Sequence, residues 1–242
     1  MKSESGHMKV LGNFGKLVES VSADANYNPS NQKITKAALP AQDTAATAAV
    51  EDVANKNAPY KTAIQERAEA FEILPARARQ VRNVAKASGA SEAALANLET
   101  PLRKLAGVRA SAKPKPDPNA GPDAPVDPQH SASQMSFDNR LGSFRSFVAL
   151  VKELPSYNPN EADLKVTALE AYADDLDAKN NAVITTGVAL TQARTLRDQL
   201  LYTNADSVVN NALLVKAYVK GAFGASSPLY KQIKGLEFGR KN

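Results

Sequence analysis

The 242-residue sequence has no Cys, no Trp and only two His, and these absences remove whole classes of chemistry before any motif is sought. Without Cys there is no disulfide, thiolate metal site, iron–sulfur cluster or Cys nucleophile, which fits a reducing compartment without demanding one. His7 lies in a polar N-terminal stretch and His130 in a proline-rich segment. Neither falls on a helix expected to face a core. The paired Glu-x-x-His of a di-iron bundle therefore cannot be assembled, an ordinary His/Cys zinc site fails on the same supply, and both histidines are read as solvated. No apolar run approaches the ~20 residues that cross a bilayer and no apolar secretory stretch opens the chain, so a cytoplasmic protein with no membrane partner is expected. Alternating Val/Ile/Thr/Tyr stretches that would signal a sheet are missing too. There is no G-x-S-x-G elbow, dinucleotide fingerprint or kinase signature. Gly12-Asn13-Phe14-Gly15-Lys16 lacks the glycine spacing, the Ser/Thr after Lys and the preceding strand of a phosphate loop. No metal, no cofactor and no catalytic residue are expected.

What is present is a duplication. Residues 11–29 (LGNFGKLVESVSADANYNP) lie over residues 141–159 (LGSFRSFVALVKELPSYNP) without a gap, and eight of 19 positions are identical, among them Phe14/Phe144, Val21/Val151 and Tyr27/Tyr157. The offset is 130 here and 135 where Gly89-Ala90-Ser91 matches Gly224-Ala225-Ser226, so insertions separate the two anchors. Between the copies, residues 111–136 hold six of the 14 prolines and almost no aliphatic surface, which reads as an extended tether; its use as a ligand for a proline-binding module is the lesser reading. The chain thus divides into residues 1–10, a polar tail that is either a cloning scar around Ser5-Gly6-His7-Met8 or a natural N-terminus, a first helical repeat over 11–110, the linker 111–136 and a second helical repeat over 137–242.

Periodicity in each copy is helical. Leu169, Leu176, Val183 and Leu190 recur every seven residues, and Leu141, Phe144, Val148 and Val151 form the inner face of a shorter helix before the Tyr157-Asn158-Pro159 turn. A helix over about 160–202 is expected, with Asn180-Asn181 and Gly187 as places where it would break. Asn204 or Asp206 is the expected cap of the next helix, which ends at Gly221 or Gly224, and Pro228 opens the last element. The first copy carries Pro40, Pro59 and Pro75, each expected to begin or kink a helix, so its helices should be shorter.

Charge is mildly basic and evenly spread, with 30 Lys+Arg against 25 Asp+Glu. The acidic groups Glu66, Glu69, Glu72 and Glu170, Asp174, Asp175, Asp177 have the helical spacing of solvated faces, with a cation or acid/base site as the lesser reading. The best candidate for a binding role is Arg77, Arg79, Arg82 and Lys86, followed by Arg103, Lys104 and Arg109; Arg79, Arg82 and Lys86 share a helix face suited to the phosphates of a polyanion. Aromatics are too few for a stacking platform, so nucleic acid is not favoured as a partner.

Residues 156–202, with Tyr157-Asn158-Pro159-Asn160-Glu161 and Ala193-Arg194, and the tail from Lys220 to Phe238 resemble uncharacterised all-helical internal-repeat proteins of Bacteroidota. The resemblance implies an all-helical repeat and no activity. The expected fold is all-α, an elongated antiparallel helical bundle of two tandem repeats related by a pseudo-twofold axis. The expected function is that of a non-enzymatic structural or protein-interaction protein that contacts a protein partner or itself. The first alternative is a polyanion-binding or nucleic-acid-binding protein using Arg77, Arg79, Arg82 and Lys86, and the second a small-ligand carrier or enzyme with a pocket between the repeats.

Overall fold

A computed structural model describes residues 4–108 and 135–239, and among these every regular element is a helix. The linker assigned to 111–136 lies outside the described residues except for its last two, as do His130 and Arg109. In the first copy α1 spans Glu4–Ala23, α2 Ala38–Glu72, α3 Leu74–Ala87 and α4 Glu92–Ala106. In the second copy α5 spans Phe137–Lys152, α6 Val166–Asp198, α7 Val208–Phe223 and α8 Pro228–Ile233.

The duplication is carried into packing. Tyr27 after α1 and Tyr157 after α5 each donate their phenolic hydroxyl to a backbone carbonyl seven residues on, Ile34 and Leu164, at 2.7 Å in both cases. Each bond closes the turn that leads, through a short 3₁₀ segment at Gln32–Ile34 or Ala162–Leu164, into the long helix. The offset of 130 persists along α2 and α6, where Leu39/Leu169, Val53/Val183, Ala63/Ala193 and Phe71/Leu201 are all buried. It becomes 134 on α3 and α7, where Leu74, Ala78, Val81 and Ala85 match Val208, Ala212, Val215 and Val219 as the buried face. The four extra residues therefore fall between Leu201 and Val208, where α6 closes through a π-turn at Gln199–Thr203 and a loop instead of the direct join at Ile73. Gly89 and Gly224, both at positive φ, end α3 and α7 alike, a conformation that glycine adopts without a Cβ clash.

The compact units do not follow the repeats. One unit comprises residues 1–61 and 185–242, the other residues 62–184, with the boundaries inside α2 and α6. In the first unit, Phe14, Leu17 and Val21 of α1 pack with Val208, Val215 and Val219 of α7 and Leu229 and Ile233 of α8. In the second, Phe144, Phe147 and Val151 of α5 pack with Val81 and Ala85 of α3 and Leu95, Leu98 and Leu105 of α4. Each unit thus joins the opening of one copy to the ending of the other, an exchange that a repeat offset cannot reveal.

Several expectations are corrected. The polar tail 1–10 is helical from Glu4, because His7, Val10, Leu11 and Phe14 line one face and bury it. The helices of the first copy are not uniformly shorter: α2 runs 35 residues against 33 for α6, while α3 has 14 against 16 for α7. Pro40 stands in the first turn of α2, where no donor is needed, and the cost of Pro59 is met by burial of Val53, Ala63 and Phe71 on either side of it. Pro75 does open α3. Asn180-Asn181 and Gly187 do not break α6. Asn180 is itself buried, its side-chain amide donating to Asp138 Oδ1 at 3.2 Å, and Gly187 lets the ring of Tyr60 approach closely. The cap of α7 is Ser207, whose hydroxyl accepts from the Asn210 N–H, and not Asn204 or Asp206.

Candidate basic groove on α3 and α4

The four cations singled out in the sequence all lie on α3, and the helix assigns them two different jobs. Leu74, Ala78, Val81 and Ala85 turn one face of α3 into the core and leave the charges on its flanks and back. Arg77 is turned to α6, its guanidinium over the ring of Tyr172 at 4.8 Å with Nη2 3.9 Å from Asp163 Oδ2. Arg82 is turned to α4, with Nε 2.5 Å from Glu99 Oε1. Arg79 and Lys86 are exposed, and Arg79 donates its Nε–H to the Pro75 carbonyl at 3.2 Å, with no hydrogen bond from its terminal nitrogens among the described residues. The structure therefore does not present Arg77, Arg79, Arg82 and Lys86 as one row. It brings Arg79 and Lys86 to open surface and ties Arg77 and Arg82 to neighbouring helices.

The duplicate shows which of these roles belong to the scaffold. At an offset of 134, Arg82 matches Lys216 of α7, whose Nζ donates to the carbonyls of Lys234 and Leu236 and lies 5.3 Å from the ring centroid of Phe238. Both cations clamp the last described segment of their copy onto the preceding helix. Burial pushes the Lys216 ammonium below the usual lysine range, as expected of a charge held partly away from water. Arg77 matches Asn211, a buried side chain that donates to Gln42 Oε1 at 2.9 Å and to the Asp206 carbonyl at 3.2 Å. Arg79 matches Leu213, an exposed residue with no packing duty.

Between α3 and α4 lies an open groove of about 480 Å³ lined by Pro75, Arg79, Arg82, Asn83, Glu99, Leu102, Arg103, Ala106 and Val108. Its far wall exists because α4 has 15 residues whereas α8 has six, so Leu102, Arg103 and Ala106 stand on turns that α8 does not build. On the other flank of Arg79 a shallower hollow of about 590 Å³ is lined by Ala76, Gln80, Asn83, Val84 and Ala87. Sequence reading placed Arg103 and Lys104 after the main basic set and missed Asn83, Leu102 and Val108, which carry no motif.

Most of the acidic candidates are engaged by neighbouring side chains. Glu66 pairs with Lys179 and Glu170 with Lys152, each at 2.8 Å, while Asp174 and Asp177 both approach Arg145. The hydrogen bonds to Glu66 and Glu170 raise the ammonium groups of Lys179 and Lys152. Among the described residues no group of three or more His, Asp or Glu is placed to hold a metal ion. None of the described helices is long and apolar enough to cross a membrane. The reading of His7 as solvated is overturned: it is 4% exposed, and its Nδ1 lies 2.7 Å from the Tyr202 hydroxyl. Gly12-Asn13-Phe14-Gly15-Lys16 lies within α1 with Phe14 fully buried, so these residues form no loop.

No family model matches the chain, and neither a curated protein nor a solved structure matches it.

Proposed function

We propose that the chain is a non-catalytic helical scaffold that works by contact with other proteins, and that it associates with a second copy of itself through the outer face of α7. The observation behind this reading is the pair Leu213 and Leu214, 52% and 42% exposed, beside Asn210, Ala217 and Gly221 on the same face. A single exposed leucine is ordinary, but two adjacent ones leave an apolar patch in water, and the charge nearest in sequence, Lys216, is engaged by the carbonyls of Lys234 and Leu236. The scaffold does not require them, since the matching positions of α3 are Arg79 and Gln80. An isologous contact lets each copy cover the patch of the other.

Sedimentation velocity over a range of concentrations tests the assembly. The expected result is association that grows with concentration and is lost in the double variant Leu213→Arg/Leu214→Gln, which installs the residues of α3 and leaves helix content by circular dichroism unchanged. A chain that stays monomeric throughout, or a double variant that associates like the parent, overturns the reading.

A further inference from the structure

We infer that the groove between α3 and α4 is a docking site for an acidic segment of a partner protein, in which carboxylates meet Arg79 and Arg103 and an intervening aliphatic side chain rests on Leu102, Ala106 and Val108. The site goes beyond the assembly proposed for α7 and stands on different helices.

Charge is the first argument. Three guanidinium groups line the groove, and among the described residues Glu99 is the one carboxylate in ion-pair contact with any of them, through Arg82. Among the described residues Arg103 reaches the Thr100 hydroxyl, at 3.5 Å, and no carboxylate. Ordinary reasons account for part of this surplus. Lys86, Arg103 and Lys104 sit in the last turns of α3 and α4, where cations complement the helix dipole. Arg82 clamps α4. Arg79 has neither reason: it is in mid-helix, makes no ion pair among the described residues, and is replaced by leucine in the duplicate. A cation that the fold does not use, facing another across a groove, is an anchor for carboxylates, which a guanidinium binds through paired N–H donors.

The lining decides the class of anion. Pro75, Leu102, Ala106 and Val108 give the groove apolar surface, and Val108 is 60% exposed, with apolar area still to be covered. A nucleic-acid backbone presents phosphates without aliphatic groups to fill that surface. It also finds no aromatic side chain in the lining on which to stack a base. An acidic peptide carrying leucine-like side chains satisfies both the charges and the apolar lining.

The test uses the full chain and a fluorescein-labelled peptide of alternating glutamate and leucine, followed by anisotropy at low and at physiological salt. Binding that weakens with salt is expected, with no binding of the matching lysine–leucine peptide. Arg79→Leu, which copies the duplicate, and Arg103→Ala should each weaken the glutamate–leucine peptide about tenfold, the scale of one lost charge-assisted contact. Lys220→Ala on α7 should leave it unchanged. The inference is overturned if the peptide does not bind, if Arg79→Leu binds it as well as the parent does, or if a single-stranded oligonucleotide binds more tightly and loses affinity in the same variants. Because the readout is peptide anisotropy and not sedimentation, loss of the groove and loss of α7 association are separate results.

Discussion

α3 and α7 are the same helix twice, and they differ where the core does not constrain them. Their apolar buried rows agree position by position, and so does the cationic position that secures the following segment, Arg82 on Glu99 and Lys216 on the carbonyls of Lys234 and Leu236. Their outer faces have parted. Arg79, Gln80 and Asn83 stand where Leu213, Leu214 and Ala217 stand, so one face is polar and basic and the other apolar. A shared scaffold with divergent outer faces separates residues that hold the fold from residues free to meet something else, without reference to any other sequence.

The comparison is broken most severely in the cores. Phe14 and Phe144 are matched and fully buried, and truncating either to Ala should cost about 3–5 kcal/mol in chemical denaturation. Similar losses would show that the two units are equally dependent on their ring, and a large inequality would show that the match in sequence is not a match in energy.

The two tyrosine turns give a smaller and sharper contrast. Tyr27→Phe and Tyr157→Phe each strip a buried carbonyl of its donor and should cost about 1–3 kcal/mol. Burial pushes the Tyr157 phenol up from its ordinary value of 10.0 to about 12, with the nearby Glu161 and Asp163 carboxylates adding to the effect, and burial drives Tyr27 further in the same direction. Below pH 10 both the folded and the unfolded phenol keep their protons, so the contribution of Tyr157 is complete. Between about pH 10 and 12 the unfolded phenol ionises and the folded one does not, so stability falls as pH rises. Denaturation midpoints across this window should flatten in Tyr157→Phe, with the remaining slope due to Tyr27 and the other titrating groups. A parent and variant with equal slopes would remove Tyr157 as a cause.

The smallest difference is expected at the clamps. Arg82→Ala breaks a half-exposed ion pair and should cost about 1 kcal/mol or less, whereas Lys216→Ala frees two carbonyls and should cost more. Equal losses would show that carboxylate and carbonyl clamps are energetically interchangeable here.

Helices and their inner faces were legible in the sequence because apolar spacing reports burial directly: Leu141, Phe144, Val148, Val151 and the heptad from Leu169 to Leu190 are all buried. Proline was over-read in α2, since its cost depends on position in the helix and on what the flanking turns bury. His7 was misjudged because a polar neighbourhood hid a helix whose next turns carry Val10, Leu11 and Phe14. At the candidate site, spacing placed Arg77, Arg79, Arg82 and Lys86 on one helix, but their roles depend on Asp163, Tyr172 and Glu99, which come from other elements. Aligning α3 on α7 at the offset of 134 would have exposed Arg79 opposite Leu213, a signal available only once the four-residue insertion before Val208 was located.

The crossing of halves between the two units has a consequence for ancestry and design. A polypeptide carrying one copy alone would own half of each core and would need an identical twin to supply the rest. Its folding would then depend on concentration. Fusing two such chains turns that encounter into a tethered one, fixes the ratio of the two halves at one to one, and releases each half to acquire its own outer surface while the other maintains the shared interior.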